Sequence, residues 1–167
     1  MIYNQHSLAI LAPIEEMQNC KVRNKGVTSY GLAETGYDIR IKQAIYFKPY
    51  ERTVIVIDQQ QEETHENTQF TLASSIEKFY MPHNVSGFVF NKSTWARQGL
   101  EVLPVVIEPS WRGYLTLNLV YHGSKELYVP AGSGIAQVVF HELSDAVTTY
   151  NGKYQNQADE ITYARHG

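Results

Sequence analysis

Short apolar runs recur along the chain, some alternating with polar residues and some β-branched, and Pro, Gly and Asn cluster between them. Tyr37 to Phe47 alternates in part, Thr53 to Ile57 is a β-branched run, and Phe70 to Ala73 resumes after a polar stretch. Val85 to Asn91, Leu100 to Ile107, Tyr114 to Tyr121, Glu126 to Val129 and Ile135 to Leu143 read as further strands. Alternation places successive side chains on opposite faces, and frequent turn residues keep each strand short, so the pattern predicts an all-β sandwich or barrel. Gln59 to Thr68 is acidic and polar without a large apolar side chain, which predicts a solvated loop. Asn24 to Gly36 is turn-rich, with Gly26, Gly31 and Gly36.

Two helical interludes are expected. Ser7 to Met17 forms a short helix with Ser7 as N-cap, interrupted at Pro13, which lacks the backbone donor. Ser93 to Gln98 forms a helical turn between two strands, with Ser93 as cap and Gly99 in the left-handed turn that ends it. From Asp145 to the end the chain is polar, with too few apolar residues to pack alone. Such a tail is either frayed or ordered by a ligand or a neighbouring subunit.

At 167 residues, with 43% hydrophobic and 19% charged side chains, the chain fits one domain, 1–167, that buries a core without disulfides or a structural metal. Its 12 tyrosines suit half-buried pleated surfaces. The single cysteine, Cys20, excludes an internal disulfide and a cysteine-based metal cluster, and a cytoplasmic location is the simplest expectation. No stretch approaches the roughly 20 apolar residues that cross a bilayer, and the apolar run Leu8 to Pro13 lacks the basic flank of a secretory signal. A net charge of −3 argues against general affinity for nucleic acid, so any polyanion is held by few, well-placed cations.

Three segments carry candidate chemistry. Lys92-Ser93-Thr94 with Arg97 gathers two cations and two hydroxyls at one helical start, which suits phosphate oxygens; a capped surface turn with solvated cations fits as well. Glu108-Pro109-Ser110-Trp111-Arg112-Gly113 presents a carboxylate able to accept a sugar hydroxyl or position a water, or simply an exposed turn acid paired with Arg112. Ala131 to Gln137 has two glycines before a strand, and Gln137 is a polar residue in an apolar run, where a structural cross-strand bond serves equally. The six histidines are scattered and no Pro-Cys-x-x-Cys is present, which argues against a zinc nucleobase deaminase.

In this order, the segments resemble the dCTP deaminase branch of the dUTPase superfamily. Ser29-Tyr30-Gly31-Leu32 with Gly36-Tyr37-Asp38-Ile39-Arg40 is similar to its N-terminal signature, and Lys92 to Gly99 to its Lys/Arg-Ser-Ser/Thr-x-Ala-Arg-x-Gly motif. Ile107 to Gly113 resembles its acidic-Pro-x-aromatic-x-Gly turn, Gly134 to Gln137 its Gly-x-Ala-Gln strand entry, and Gly152 to Gln157 its C-terminal Gly-Lys-Tyr-x-x-Gln motif. The resemblance implies a distorted jelly-roll or β-barrel of the dUTPase-like (β-clip) type. It also implies a homotrimer with active sites shared between subunits and a deoxynucleoside triphosphate, dCTP or dUTP, as ligand. Lys92, Ser93, Thr94, Lys153 and Gln157 would hold the nucleotide, with Mg²⁺ on the triphosphate and no zinc. Glu108 would contact the 3′-hydroxyl or a water, Arg97 would polarise groups near the pyrimidine, and Gln137 would pack near the site. Tyr150 would add a phosphate contact, at a spacing to Lys153 shorter than the family's usual one.

One position departs from the family. Where the branch has Thr-Leu-Glu, this chain has Thr116-Leu117-Asn118. A carboxyl group can take a proton from water and return it to a departing amine; an amide cannot. Family membership points to zinc-free deamination of dCTP to dUTP, with Glu108 acting through a water. Asn118 points instead to dUTPase-like release of pyrophosphate from a pyrimidine triphosphate. A third possibility is a catalytically silent nucleotide-binding trimer with a regulatory role.

Overall fold

The computed structural model describes residues 1–145 and 147–166; Ala146 and Gly167, both in the tail expected at 145–167, lie outside the described residues. The strands are β1 (Ile2–Tyr3), β2 (Lys21–Val22), β3 (Tyr30–Leu32), β4 (Tyr37–Arg40), β5 (Ala44–Lys48), β6 (Thr53–Asp58), β7 (Gln61–Glu66), β8 (Phe70–Tyr80), β9 (Val85–Asn91), β10 (Leu100–Val102), β11 (Val106–Ile107), β12 (Arg112–Tyr121), β13 (Leu127–Val129) and β14 (Gly134–Glu142). The helices are α1 (Gln5–Leu11) and α2 (Ser93–Ala96). The fold is thus all-β with two short helices, as the alternation predicted.

Three antiparallel sheets form. The largest runs β11-β9-β14-β4-β3-β2, with β1 pairing β14; the others are β10-β12-β8 and β13-β5-β6-β7. Their inner faces meet around Ile39, Phe47, Phe79, Leu117, Leu119, Ile135 and Phe140, all buried. β12 shows why: Leu115, Leu117 and Leu119 point in, while Tyr114, Thr116, Asn118 and Val120 point out.

Several expected elements are divided or displaced. The run from Tyr37 to Phe47 is two strands in different sheets, because the chain switches sheets at Ile41–Gln43. The buried Gln43 makes that corner, accepting from Ser74 N at 2.8 Å and donating to Ser74 Oγ at 2.9 Å and Asp58 Oδ2 at 3.1 Å. Leu100 to Ile107 is likewise split, into β10 and β11, across Leu103 and Pro104. The acidic stretch expected as a loop forms β7, an exposed edge strand paired with β6. α1 begins earlier than expected, with Asn4 as N-cap; Ser7 lies inside the helix, its hydroxyl accepting from Asn4 N at 2.9 Å and donating to Asn4 O at 2.8 Å. In α2 the cap is Lys92, whose carbonyl accepts from Trp95 N and Ala96 N, and Ser93 makes no side-chain cap. Gly99 does take a positive φ, +86°.

Candidate active site

Strand β12 shapes the site through a bulge. Its register against β8 shifts between Tyr114 and Thr116, and the bulged Leu115 N donates to Ser75 Oγ at 2.9 Å instead of to a strand carbonyl. A bulge bends its strand and re-aims the side chains beside it. Beyond the bulge, Asn118 lies opposite Leu72 and Val120 opposite Phe70.

Over this face lies a cavity of about 530 Å³, lined by Asn118, Thr116, Leu72 and Phe70 below and by Val106, Ile107 and Glu108 at one side. That volume is in the range of pockets that enclose a small organic ligand. Tyr150, Tyr154, Gln157 and Thr162 to Ala164 close the remaining side. Glu108 is the only carboxylate among the lining residues. It stands on a tight turn after β11, where Trp111 N donates to Glu108 O at 3.2 Å, Ser110 N donates to Pro82 O at 3.1 Å, and Ser110 has φ +66°.

The polar tail is latched to its own chain. Trp111 Nε1 donates to Tyr154 O at 2.6 Å, and Gln155 Oε1 accepts from Arg112 N at 2.8 Å. Gln155 Nε2 also donates to Ser110 O and Tyr150 O, at 3.0 and 2.9 Å. Gln157 forms a parallel bridge to Gly113, where φ is +134° and a Cβ would stand 2.6 Å from Gln157 N, so only glycine permits the approach. Thr116 Oγ1 then collects two donors, Gln157 Nε2 at 2.7 Å and Thr162 N at 3.0 Å. Within one chain the tail is therefore tied to β12 and its turn by backbone and amide bonds. Gln157, nearly buried at 9% exposure, uses one of its two amide donors on Thr116.

The ten candidate residues fall into two groups. Glu108, Asn118, Tyr150 and Gln157 line the cavity, and exposed Lys153 stands beside it, preceding Tyr154. Lys92, Ser93, Thr94, Arg97 and Gln137 do not line it. Lys92 Nζ is bound to Asp38, which is 1% exposed. The same carboxylate has Lys21 Nζ at 3.3 Å and accepts from Gln137 Nε2 at 3.3 Å. Gln137 thus has the structural cross-strand partner that a polar residue in an apolar strand needs, and in one chain it does not pack near the cavity. Ser93, Thr94 and Arg97 are exposed. Asp38, Thr116, Trp111 and Tyr154 were not singled out from sequence. Each sat inside a quoted segment, but an acid at a strand pair or a threonine in a strand carries no distinguishing spacing.

A family model described as dCTP deaminase-like matches residues 10–143. A dCTP deaminase of Nautilia profundicola is 34% identical over 163 residues, covering 89% of this chain and 86% of that protein. A dCTP deaminase of Acidobacterium capsulatum is 32% identical over 167 residues, covering 89% of each. Among solved structures, the EIAV dUTPase superposes with a TM-score of 0.52 at 16% identity, covering 84% of this chain and 92% of that one. The 2′-deoxycytidine 5′-triphosphate deaminase of Agrobacterium tumefaciens gives a TM-score of 0.56 at 16% identity, covering 84% of this chain and 47% of that one.

Proposed function

Because this chain belongs to the dCTP deaminase-like family, we propose that it binds a pyrimidine deoxynucleoside triphosphate in the Glu108–Asn118 cavity and hydrolyses it. The first reaction is deamination: dCTP and water give dUTP and ammonia, with water adding at C4 and the amine leaving as the proton is returned to it. The observation that carries the proposal is the meeting, in one cavity, of the turn carboxylate, the β12 amide and the latched C-terminal motif.

Within that frame the roles follow from chemistry. Glu108 takes the 3′-hydroxyl or orients the attacking water, as a carboxylate within hydrogen-bond reach of either can. Gln157, Lys153 and Tyr150 face the phosphates from the same protomer. Lys92, Ser93, Thr94 and Arg97 come from a neighbouring protomer, which accounts for their separation from the cavity within one chain. Arg97 is exposed and has no carboxylate within ion-pair distance among the described residues, so its fork is open to a ligand. The assembly is a homotrimer in this proposal, and it draws its substrate from the cytoplasmic pool of nucleotides.

Among the described residues, no group of three or more His, Cys, Asp or Glu is placed to hold a metal. One carboxylate and several neutral oxygens suit a Mg²⁺ that arrives on the triphosphate, where it would neutralise phosphate charge. No zinc is needed in this proposal.

Asn118 favours a second reaction. It occupies the position where the family has its Glu, and an amide cannot cycle a proton. With Glu108 as the sole lining carboxylate, water activated there could attack the α-phosphorus and release pyrophosphate, leaving the pyrimidine intact. Incubating the protein with dCTP or dUTP and Mg²⁺, and measuring ammonia and pyrophosphate separately, distinguishes the two. Ammonia from dCTP supports deamination; pyrophosphate without ammonia supports the second reaction. Tight nucleotide binding with neither product would leave a regulatory binding protein. In either reaction Glu108→Gln is expected to lower turnover about 10²–10⁴-fold; an unchanged rate would remove Glu108 from the chemistry.

A further inference from the structure

Within one chain, the cavity has no cationic side chain among its lining residues. Phosphate oxygens call for charge-assisted donors. Two cations on the tail neighbour lining residues in the chain: Lys153 directly precedes Tyr154, and Arg165 directly follows Ala164. They are joined by a reciprocal clasp. Lys153 Nζ donates to the Arg165 carbonyl, and Arg165 Nη1 donates to the Lys153 carbonyl at 2.7 Å. Arg165 N donates to the Tyr154 hydroxyl at 3.1 Å, which fixes the end of the tail against the aromatic ring. Both charged ends flank that ring, Lys153 Nζ at 5.3 Å and Arg165 Cζ at 6.0 Å from its centre.

Among the described residues, the charge on this clasp is not balanced. Lys92 is bound to Asp38, Lys42 to Asp159 and Lys78 to Glu15, but no carboxylate lies within ion-pair distance of Lys153 or Arg165 among the described residues. Both side chains are exposed. The clasp uses one of the three ammonium donors and one of the five guanidinium donors, so most of their capacity is left for other acceptors.

We propose that Arg165, together with Lys153, forms the polyphosphate-binding edge of this cavity and contacts the terminal phosphates of the nucleotide. The assignment rests on the nucleotide reading above and adds to it a residue beyond the C-terminal motif. It also gives the latch between tail and β12 a purpose, since that latch carries the two cations to the cavity mouth.

Calorimetric titration of the full chain with dCTP, dCMP, deoxycytidine and inorganic tripolyphosphate, each with Mg²⁺, tests it. Arg165→Gln keeps an amide donor for the Lys153 carbonyl while removing the charge. The expected result is about 10-fold or greater weakening for dCTP and tripolyphosphate, with deoxycytidine unchanged, and partial recovery in Arg165→Lys. Equal weakening for dCTP and deoxycytidine would make Arg165 a brace for the tail and overturn the proposal, as would unchanged dCTP affinity. If the wild-type chain binds tripolyphosphate through Arg165 but no pyrimidine nucleotide, the nucleotide reading fails and the anion site stands. If it binds neither, both fail.

Discussion

At position 118 the surroundings say more than the residue alone. Asn118 projects onto a floor made by Leu72 and Phe70, beside Thr116, whose hydroxyl is already engaged by the tail. A carboxyl group on that apolar floor would be partly desolvated, which raises its pKa toward neutrality, where a group can both take and return a proton. Asn118→Glu is therefore expected to create or raise ammonia release from dCTP by about 10²-fold or more, with a pH–rate profile showing an ionisation above the ordinary glutamate range. Stopped ammonia assays across pH check this. If ammonia release is unchanged, the proton is handled elsewhere, with Glu108 the remaining candidate in the cavity.

At the scale of elements, the tail and β12 act as one unit joined at Thr116. Replacing it by the isosteric valine in Thr116→Val removes the acceptor for Gln157 Nε2 and Thr162 N together. A nearly buried amide left without its partner costs about 1–3 kcal/mol, enough to shift a short latch toward the open form. The expected outcome is faster proteolysis between Asp159 and Arg165 with a small change in the melting of the β-core; equal protection in both proteins would show that the Trp111 and Gln155 bonds hold the tail unaided. The same elements show what sequence could and could not reveal. β9 and most of β12 were legible because alternation within a single sheet is a local property. The splits at Ile41–Gln43 and Leu103–Pro104 were not, because an apolar run does not record that its two ends bury into different sheets. β7 was read as a loop because an edge strand with charge on both faces has no apolar period, and those charges are what deter a further strand from pairing there. The latch was hidden for a related reason: it is built from backbone carbonyls and amides, not apolar contact. The structure brings Glu108, Asn118, Tyr150 and Gln157, quoted from separate segments, to one cavity, but Asp38 and Thr116 have roles that only the strand pairings and the returning tail create.

For the whole molecule, two features of one protomer point outward. The candidate residues around α2 stand apart from the cavity, and β9 and β11 expose Phe90 at 48% and Val106 at 53% on the largest sheet, with Val106 paired to the half-buried Phe88. Apolar side chains grouped on one sheet face are surface that an oligomer would cover. In a closed cyclic assembly every protomer uses the same two patches, one to give and one to receive. If each site takes Glu108 from one protomer and Arg97 from the next, Arg97→Ala and Glu108→Gln are each expected to be inactive alone, whereas subunits mixed in equal amounts and reassembled regain activity. In randomly assembled trimers one interface in four unites an intact Glu108 with an intact Arg97, so recovery reaches roughly a quarter of the wild-type rate. Activity is measured before and after dissociation and reassembly, with the oligomeric state followed by sedimentation. A trimer that forms from the mixture yet recovers nothing would place both residues in the same protomer's site, and the distance between the α2 group and the cavity would then have to be closed by movement within one chain.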